Sequence, residues 1–295
     1  MTASAVAQYL VSGLTLGSIY GMIALGFALI YNATGIVNFA QGEFVTLGAL
    51  IAISCSAAGL LMPLAVLVGV AAVTLIAATL EWGAIRPARG ASVITLIIIT
   101  IGASILLRGA AMWLWGPDAL PMRSFSGETP ISVGIAGATV LPQHLWIIGI
   151  VVVTMVTLRL LGERTQVGKA IRACAVNRDA ARLVGIPAER MVRLSFALSG
   201  LLGGLAGAIV APLAMGQYNM GIMLGLKGFA AAILGGIGNP FGAVLGGLLL
   251  GTLESLGAGL SPSGWSGYKD AIAFAVMLLV LLAKPSGLLG RRGTA

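Results

Sequence analysis

Nine apolar segments alternate with shorter polar stretches along the 295 residues of this chain. A helix needs about 20 mainly apolar residues to cross a bilayer. The predicted spans are 8–31, 37–58, 61–85, 92–115, 144–162, 193–214, 218–237, 240–259 and 268–284. Because the connections within 37–85 and within 218–259 are very short, we expect broken or re-entrant helices there, and eight to ten spans fit the pattern. The pattern predicts an all-α fold, a polytopic transmembrane helical bundle that forms a single domain over residues 1–295.

The composition favours a membrane protein and argues against a nucleic-acid-binding one. Hydrophobic residues make up 58% of the chain and charged residues 9%, whereas soluble domains carry about 25% charged residues. The net charge of +8 would suggest nucleic acid in a soluble chain, but here Lys and Arg cluster in the loops between spans. Glycine recurs at four-residue spacing, as in Gly13, Gly17 and Gly21. This spacing lets helices pack closely in lipid.

Basic residues in the loops predict the orientation, because cytoplasmic loops carry an excess of Lys and Arg. The segment 159–193 holds eight basic and three acidic residues: Arg159, Arg164, Lys169, Arg172, Arg178, Arg182, Arg190 and Arg193 against Glu163, Asp179 and Glu189. Further basic groups are Arg86 with Arg89, and Lys284 with Arg291 and Arg292. With nine spans, the N-terminus is outside, and this segment and the C-terminus are cytoplasmic; eight or ten spans would move only the N-terminus. Because no run of Lys or Arg precedes the first span, we expect that span to be retained.

A short internal repeat relates the two halves of the chain. Ser12-Gly13-Leu14 followed by Gly17 resembles Ser199-Gly200-Leu201 followed by Gly204, at an offset of 187 residues. Gly35-Ile36 with Gln41-Gly42 resembles Gly221-Ile222 with Lys227-Gly228, at an offset of 186. Transporters are often built from two repeats that enclose the substrate site. Chance matching in a glycine-rich sequence is the alternative.

Three polar residues in an otherwise apolar segment are the first candidates for a transport pathway. Asn38, Gln41 and Glu43 stand close to Gly35 and Gly42. Polar groups at membrane depth are costly unless they face protein or water. Glycine permits an interrupted helix whose free backbone groups can meet a polar ligand. We interpret the segment as a gate or pathway element, and a solvated loop at the membrane surface is the alternative.

Lys227 is the second candidate, because it falls near the middle of a predicted span. An ammonium at that depth needs a carboxylate or a water-filled cavity. Glu254 and Glu43 are the two candidate partners, and both a structural ion pair and a contact with substrate stay open. Arg108 and Glu81 lie closer to span ends, and we expect them to extend toward the membrane surface.

The basic segment contains a predicted helix over 168–184 that is too polar and too short to cross the bilayer. Gly185 would end this helix, and Pro187 could begin the next. By their spacing, Arg172, Asp179 and Arg182 would share one face. The helix either rests on anionic lipid or docks onto a cytoplasmic partner through its charges.

Several kinds of catalytic machinery are missing from the sequence. There is no Gly-x-x-x-x-Gly-Lys-Ser/Thr phosphate loop, no Cys/His cluster suited to metal and no Ser-His-Asp arrangement. Cys55 and Cys174 are isolated, and the single histidine, His144, begins a span. We therefore expect a transport subunit with no catalytic residue, metal or bound cofactor of its own. A stand-alone secondary transporter or channel is the competing class, although it would usually carry more intramembrane acids; a membrane-embedded enzyme is the third.

Three motifs carry a resemblance that extends over about residues 8–288. Two of the motifs are Asn38-Phe39-Ala40-Gln41-Gly42-Glu43 and the glycine-rich run from Gly228 to Pro240, followed by Gly242 and Gly246-Gly247. The remaining motif lies between them in the sequence and reads Asp179-Ala180-Ala181-Arg182-Leu183-Val184-Gly185. It is similar to the Glu-Ala-Ala-x-x-x-Gly loop with which ABC importer permeases contact their ATPases. Asp179 replaces the Glu of that pattern, and of its more distant Ile and Leu-Pro only Gly185-Ile186-Pro187 is present. In order and spacing, the motifs resemble those of LIV-type permeases, the membrane subunits of branched-chain amino-acid ABC importers.

The resemblance implies a permease in the bacterial inner membrane that carries branched-chain or related hydrophobic amino acids. Its implied partners are a related second permease subunit, two cytoplasmic ATPase subunits that hydrolyse ATP, a periplasmic substrate-binding protein and membrane lipid. The ATPase-contacting loop would be 163–193, with the coupling residues Arg172, Arg178, Asp179, Ala180, Ala181, Arg182 and Gly185. Because the family also contains importers of urea, short amides and aromatic acids, a permease for one of these solutes is the alternative.

Overall fold

The computed structural model describes residues 3–88, 90–132, 139–260 and 269–290. The helices are α1 (Ala3–Thr34), α2 (Gln41–Ala57), α3 (Met62–Leu80), α4 (Val93–Trp115), α5 (Pro142–Arg164), α6 (Gln166–Val176), α7 (Arg178–Leu183), α8 (Ala188–Ala214), α9 (Met220–Gly235), α10 (Pro240–Leu260) and α11 (Lys269–Ala283). A π-helical turn, Glu81–Ile85, extends α3, and the strands β1 (Ile131–Ser132) and β2 (Thr139–Val140) pair antiparallel. Over the described ranges the fold is all-α apart from this strand pair. Arg89, Arg291 and Arg292, on which the orientation partly rests, lie outside them.

Within the described ranges, six helices are long and apolar enough to cross a membrane: α1, α3 with its π turn, α4, α5, α8 and α10. The apolar helices α2, α9 and α11 are shorter, at 17, 16 and 15 residues. Local sequence explains two of the helix starts. The Ser92 hydroxyl caps α4 by accepting a hydrogen bond from the Thr95 N–H at 3.2 Å, and Pro142 occupies the first turn of α5, where its missing N–H is not needed. The chain is therefore a polytopic helical membrane protein.

Side-chain and backbone contacts define two ends of the bundle. At the end that carries α6 and α7, here called the basic end, Arg193 of α8 lies 3.3 Å from Glu81 beyond α3. The last turn of α1 lies against α6 at the same end. At the opposite end, the Ser255 hydroxyl of α10 donates to the Tyr9 carbonyl oxygen of α1 at 2.7 Å. Consequently α1 runs toward the basic end, whereas α8 and α10 run away from it.

Glycine packing reveals two repeats of opposite direction. A Cβ atom at Gly17 of α1 would lie 2.7 Å from the Leu248 Cα of α10, and one at Gly204 of α8 would lie 3.1 Å from the Val73 Cβ of α3. Helix α9 packs on α1 in the same way as α2 packs on α8. The contact between α2 and α3 likewise corresponds to the contact between α9 and α10. The units α1–α3 and α8–α10 thus share one packing pattern, which agrees with the internal repeat of the sequence.

Glu81 does not extend toward the membrane surface as its position near a span end suggested. Its side chain is fully buried and forms the ion pair with Arg193. Arg108, whose side chain is 27% exposed, is directed toward the buried Glu43, with its Nη1 atom 3.9 Å from Glu43 Oε1. Both expectations were wrong because distance from a span end does not reveal a partner that is 65 or more positions away in the sequence.

The single helix predicted over 168–184 is also wrong, because Asn177 divides it into α6 and α7. The Asn177 side chain accepts hydrogen bonds from the N–H groups of Asp179 and Ala180, at 3.1 and 3.0 Å, as an N-cap does. Asp179 pairs with Arg182 at 3.4 Å, whereas Arg172 donates to the Gly162 carbonyl oxygen. The three residues therefore do not form the common face that one continuous helix would give.

Candidate functional site

The first candidate segment is an interruption between α1 and α2 inside the bundle. Gly35 follows α1 with a φ of +75°, a left-handed conformation that glycine adopts without steric cost. The chain then runs to α2, which begins at Gln41. The exposed fractions of Asn38, Gln41 and Glu43 are 0%, 0% and 2%. The alternative of a solvated surface loop is therefore wrong, and the segment is a non-helical connection whose polar side chains lie in the protein interior.

Helices α2 and α9 cross each other near their N-terminal ends. A Cβ atom at Gly42 would overlap the Gly221 carbonyl oxygen, and a Cβ atom at Gly225 would lie 2.8 Å from the Gly42 Cα. The Gly221 N–H donates to Thr46 Oγ1 at 2.9 Å. Only residues without a side chain allow the two backbones to approach this closely. In the internal repeat α2 corresponds to α9, so the crossing joins equivalent helices of the two repeats.

A cavity of about 280 Å³ lies beside this crossing. Its polar side chains are Glu43, Ser104 and Arg108. The remaining lining residues are Phe27, Phe39, Gly42, Ile101, Ile105, Gly221, Ile222, Gly225, Leu226 and Phe229. Small-molecule sites have this mixture of mainly apolar walls and a few polar groups, with volumes of roughly 300–1,000 Å³. The cavity therefore has the chemistry and the size of a site for a small, partly apolar solute.

Three aromatic rings form one wall of the cavity. The ring centroids of Phe27 and Phe229 are 5.6 Å apart, and those of Phe39 and Phe229 are 5.8 Å apart, both at tilted angles. Such pairs contribute about 0.5–1.5 kcal/mol beyond their buried area. Because Phe27 comes from α1, Phe39 from the interruption and Phe229 from α9, the wall joins both repeats.

Gln41 ties the start of α2 to its neighbours. Its Nε2 atom donates to the Ser199 carbonyl oxygen of α8 at 3.3 Å. The Ser199 hydroxyl lies within hydrogen-bond distance of Gln41 Oε1 and, at 3.0 Å, of the Gly26 carbonyl oxygen in α1. One buried side chain therefore fixes the position of α2 relative to both α1 and α8.

Replacing Gln41 with Leu should remove the hydrogen bonds between Gln41 and Ser199. The Ser199 carbonyl oxygen and hydroxyl would each lose one buried hydrogen bond, while the hydroxyl keeps its contact with the Gly26 carbonyl oxygen. A typical hydrogen bond contributes about 0.5–1.5 kcal/mol to stability. We expect a lower thermal unfolding midpoint for the Gln41→Leu variant, which circular dichroism of the detergent-solubilised protein can measure. Gln8→Leu is the matched control, because Gln8 accepts a single exposed hydrogen bond from the Thr139 N–H. Equal midpoints for the two variants would contradict the assigned role of Gln41.

Lys227 does not line the cavity. Its Nζ atom lies 2.8 Å from Glu254 Oε1 of α10, and both side chains are buried. The Tyr20 hydroxyl of α1 donates to the second oxygen of Glu254 at 2.9 Å, and the Lys227 ammonium lies 5.5 Å from the centre of the Tyr20 ring. Of the two predicted partners, Glu254 is the one observed. The structure thus separates Lys227 from Asn38, Gln41 and Glu43 and places it in an ion pair that joins α1, α9 and α10.

Helices α6 and α7 form an amphipathic cap on the start of α8. Ile171, Cys174 and Ala181 pack against Ala188 and Met191 of α8. Burial raises the pKa of the Cys174 thiol, which the charges of Arg178 and Arg182 partly offset. Leu183 and Val184, by contrast, are exposed apolar residues beside Gly185, and Gly185 has a φ of +82°. The outer face of this cap therefore combines apolar and charged groups, as a protein-binding surface does.

A second cavity, of about 310 Å³, separates the end of α1 from the end of α6. It is lined by Tyr31, Asn32, Ala33, Thr34, Gly35, Cys174, Ala175, Val176 and Arg178. The cap thus lies next to Gly35, where α1 ends and the interruption begins.

No metal or nucleophilic centre is formed by the part of the chain that the structure describes. No group of three or more His, Cys, Asp or Glu side chains comes together there, and Cys55 and Cys174 are free thiols. His144 contacts Thr15 Oγ1 through Nδ1 at 2.9 Å.

Sequence reasoning missed Arg108, Ser104 and the aromatic wall. Ile101, Ser104, Ile105 and Arg108 recur at helical spacing along α4, so they share one face of that helix. This periodicity was the available signal, because a polar pair on one face of an apolar span indicates a face that does not contact lipid.

The fold and cavity define a class: a polytopic membrane protein built from inverted repeats, with an amphiphilic cavity beside the crossing of α2 and α9. A family profile described as "Branched-chain amino acid transport system / permease component" matches residues 9–281. The chain belongs to this family of branched-chain amino acid transport permeases.

Individual relatives agree with this assignment. The chain is 36% identical to the high-affinity branched-chain amino acid transport system permease protein BraD of Pseudomonas aeruginosa, over 96% of this chain and 95% of the relative. It is 33% identical to the LivH permease of the same description from Escherichia coli K12, with the same coverage. It is also 30% identical to the ribose import permease protein RbsC of Escherichia coli K12, over 89% of this chain and 81% of the relative. No solved structure matches the chain significantly.

Proposed function

We propose that this chain is the membrane permease subunit of an ATP-driven importer for branched-chain amino acids. The observation that carries the proposal is the family match over residues 9–281, and 36% identity to a branched-chain amino acid permease supports it. The cavity beside α2 and α9 supports it independently, because its apolar wall and its two charged groups suit a small apolar amino acid.

We further propose nine membrane crossings with the N-terminus outside and the C-terminus in the cytoplasm. The alternation of helix direction between the two ends supports this count, with the non-helical residues 35–40 and 215–219 completing the crossings of α2 and α9. The basic end, with α6 and α7, is then cytoplasmic, as the excess of Lys and Arg in 159–193 favours. Transport would follow from movement of one inverted repeat against the other around the crossing of α2 and α9.

A second permease subunit would cover the open side of the cavity. Ile105, Ile222 and Leu226 are exposed there, and Arg108 is 27% exposed. A guanidinium at that depth is costly against lipid and favourable against protein or water. The substrate path would therefore run between this chain and a related subunit.

The cap of α6 and α7 would receive the driving force from two cytoplasmic ATPase subunits, with the substrate delivered by a periplasmic binding protein. Its exposed apolar groups, Leu183 and Val184, lie next to the charged pair Asp179–Arg182. Contacts from the ATPases would reach Gly35 through the end of α1 and change the position of α2. The proposed coupling residues are Arg172, Arg178, Asp179, Ala180, Ala181, Arg182 and Gly185.

Changing Gly185 to Leu or Asp179 to Lys should abolish import while the chain still inserts into the membrane. Leu is strained at a φ of +82°, which costs about 1–3 kcal/mol, and a lysine at 179 would repel Arg182 and change the charge of the docking face. Gly59→Leu is the matched control, because Gly59 has a φ of +88° but lies at the opposite end. Uptake of labelled leucine by cells and membrane content by immunoblotting are the readouts. Normal uptake in both variants would refute docking at this cap.

The proposed function is tested by reconstituting the chain with its neighbouring permease, ATPase and binding-protein subunits in proteoliposomes. ATP-dependent uptake of labelled leucine, isoleucine or valine is expected, whereas urea and aromatic acids should not accumulate. Accumulation of urea or an aromatic acid without accumulation of leucine would contradict the assignment of branched-chain amino acids as the substrates. Uptake that persists without ATPase subunits would favour a secondary transporter instead.

A further inference from the structure

Two intramembrane ion pairs of this protein differ in the distance between their charged atoms and in the exposure of the basic side chain. The Lys227–Glu254 pair has an N–O distance of 2.8 Å, and its side chains are 8% and 3% exposed. In the Arg108–Glu43 pair the distance is 3.9 Å, and the side chains are 27% and 3% exposed, so that the two pairs differ at the basic partner. Charge-assisted hydrogen bonds are normally about 2.7–2.9 Å long. The first pair is therefore a completed structural contact, whereas the second holds its charges apart.

The open pair lies on the cavity beside the crossing of α2 and α9. Glu43 Oε1 accepts a hydrogen bond from the Ser104 hydroxyl at 3.0 Å, and the buried Oε2 atom has no hydrogen-bond partner among the described residues. A carboxylate has about four acceptor positions and a guanidinium five donors, so both groups have capacity beyond this contact. Arg108 is the basic side chain among the lining residues, and Glu43 is the acidic one. The cavity thus presents one cation and one anion, close together, to whatever enters it.

We propose that Glu43 and Arg108 form a transient binding site for the α-ammonium and α-carboxylate groups of an amino acid during its passage. This inference rests on the proposed function and adds a recognition site to it. The solute carboxylate would bind Arg108, whose planar guanidinium matches a carboxylate in a bidentate manner. The solute ammonium would bind the Glu43 carboxylate, and the Ser104 hydroxyl holds that carboxylate in position.

The walls of the cavity define the side chain that fits this site. Phe27, Phe39 and Phe229 lie on one side, and Ile222 and Leu226 come from the adjacent face of α9. An aliphatic side chain placed there gains about 25 cal/mol for each Å² of apolar surface removed from water. The site therefore selects a zwitterion with a branched aliphatic side chain. An uncharged solute such as urea or a sugar would leave both charges without a ligand.

Moderate affinity is the expected consequence of holding the two protein charges near each other. A solute must compete with the attraction between Glu43 and Arg108, so that it binds weakly enough to leave. This suits a pathway site, at which binding must permit both entry and release. Closing the pair after release would restore the neutral resting state.

The site is tested with the complete reconstituted transporter and labelled L-leucine. Arg108→Gln and Glu43→Gln should each lower leucine uptake by about tenfold or more, because a hydrogen bond to a charged group contributes roughly 1.5–3 kcal/mol. Arg108→Lys should restore part of the uptake, since it keeps the charge but not the bidentate geometry. Arg159→Gln is the matched control, because Arg159 forms an exposed pair with Glu163 and lies outside the cavity.

A second measurement separates substrate contact from structural support. A photoreactive diazirine analogue of leucine, delivered by the loaded binding protein, is irradiated in the wild-type transporter, and the cross-linked peptides are identified by mass spectrometry. We expect cross-links on Phe39, Ile222 or Phe229. If the two Gln variants lose assembly or basal ATPase activity, these wild-type cross-links still decide the question.

Two results would overturn the site and leave the proposed function intact. The first is leucine uptake by Arg108→Gln and Glu43→Gln at the level of Arg159→Gln. The second is cross-linking of the leucine analogue only at residues away from the cavity while the wild-type protein imports leucine. Failure of the wild-type transporter to import leucine would instead refute the proposed function itself.

Discussion

Substituting Gly42 with Ala should reduce transport by about tenfold or more. The added Cβ atom would overlap the Gly221 carbonyl oxygen and lie 3.2 Å from the Gly225 Cα. Both neighbours are backbone atoms, so no side-chain rotation relieves the overlap, and α2 must separate from α9. Overpacking of this kind costs about 1–3 kcal/mol, and 1.4 kcal/mol corresponds to about tenfold in an equilibrium. Uptake of labelled leucine by the reconstituted transporter is the measurement.

Gly149→Ala is the matched control for this substitution. Gly149 lies within α5, and a Cβ atom there would meet nothing within 4 Å. Because Ala stabilises a helix interior by roughly 0.5–1 kcal/mol relative to Gly, uptake by this variant should equal that of the wild type. If Gly42→Ala transports as well as Gly149→Ala does, the close crossing of α2 and α9 is not required for transport.

Replacing Lys227 with Met should destabilise the folded protein by about 3–5 kcal/mol, because it leaves Glu254 as an uncompensated buried charge. The Tyr20 hydroxyl would still donate to the carboxylate, but one neutral donor does not replace an ammonium. Thermal unfolding of the detergent-solubilised transporter should show a clearly lower midpoint for Lys227→Met.

The double variant Lys227→Met/Glu254→Gln should recover most of this loss. Glutamine keeps an acceptor for Tyr20 and removes the isolated charge, and a buried ion pair replaced by neutral groups is often tolerated. Arg159→Met serves as the control, because exposed pairs contribute only about 0–1 kcal/mol. A Lys227→Met midpoint equal to that of Arg159→Met, or a double variant less stable than the single one, would contradict the structural assignment of Lys227.

The helices themselves could be predicted from the sequence. Each of the nine apolar segments contains one helix, and a helix ends just before Gly185, as predicted. These features depend on local composition and on the conformational freedom of glycine, both of which a single sequence records. The break at Asn177 is local as well, but the helical periodicity on both sides of it concealed the N-cap.

The pairings within the site could not be predicted from the sequence with the same success. Lys227 had two candidate partners, Glu254 and Glu43. The contacts that Glu43 makes instead, with Ser104 and Arg108, bring together positions 61 and 65 residues apart. Glu81 finds Arg193 across 112 residues. Such contacts depend on which helix faces meet in three dimensions, and the hydrophobic pattern of a nearly uniformly apolar span does not specify its faces.

We expect the cavity beside α2 and α9 to be a water-accessible path rather than a groove filled by lipid. The direct measurement is labelling of single cysteines by a membrane-impermeant thiol reagent in the reconstituted transporter, after Cys55 and Cys174 are replaced with Ser. Ser104→Cys, which faces the cavity, should be labelled, and saturating leucine with loaded binding protein should slow the labelling. Leu106→Cys, which is exposed on α4 but does not line the cavity, should resist the reagent. Labelling of Leu106→Cys with no labelling of Ser104→Cys under any condition would contradict the account.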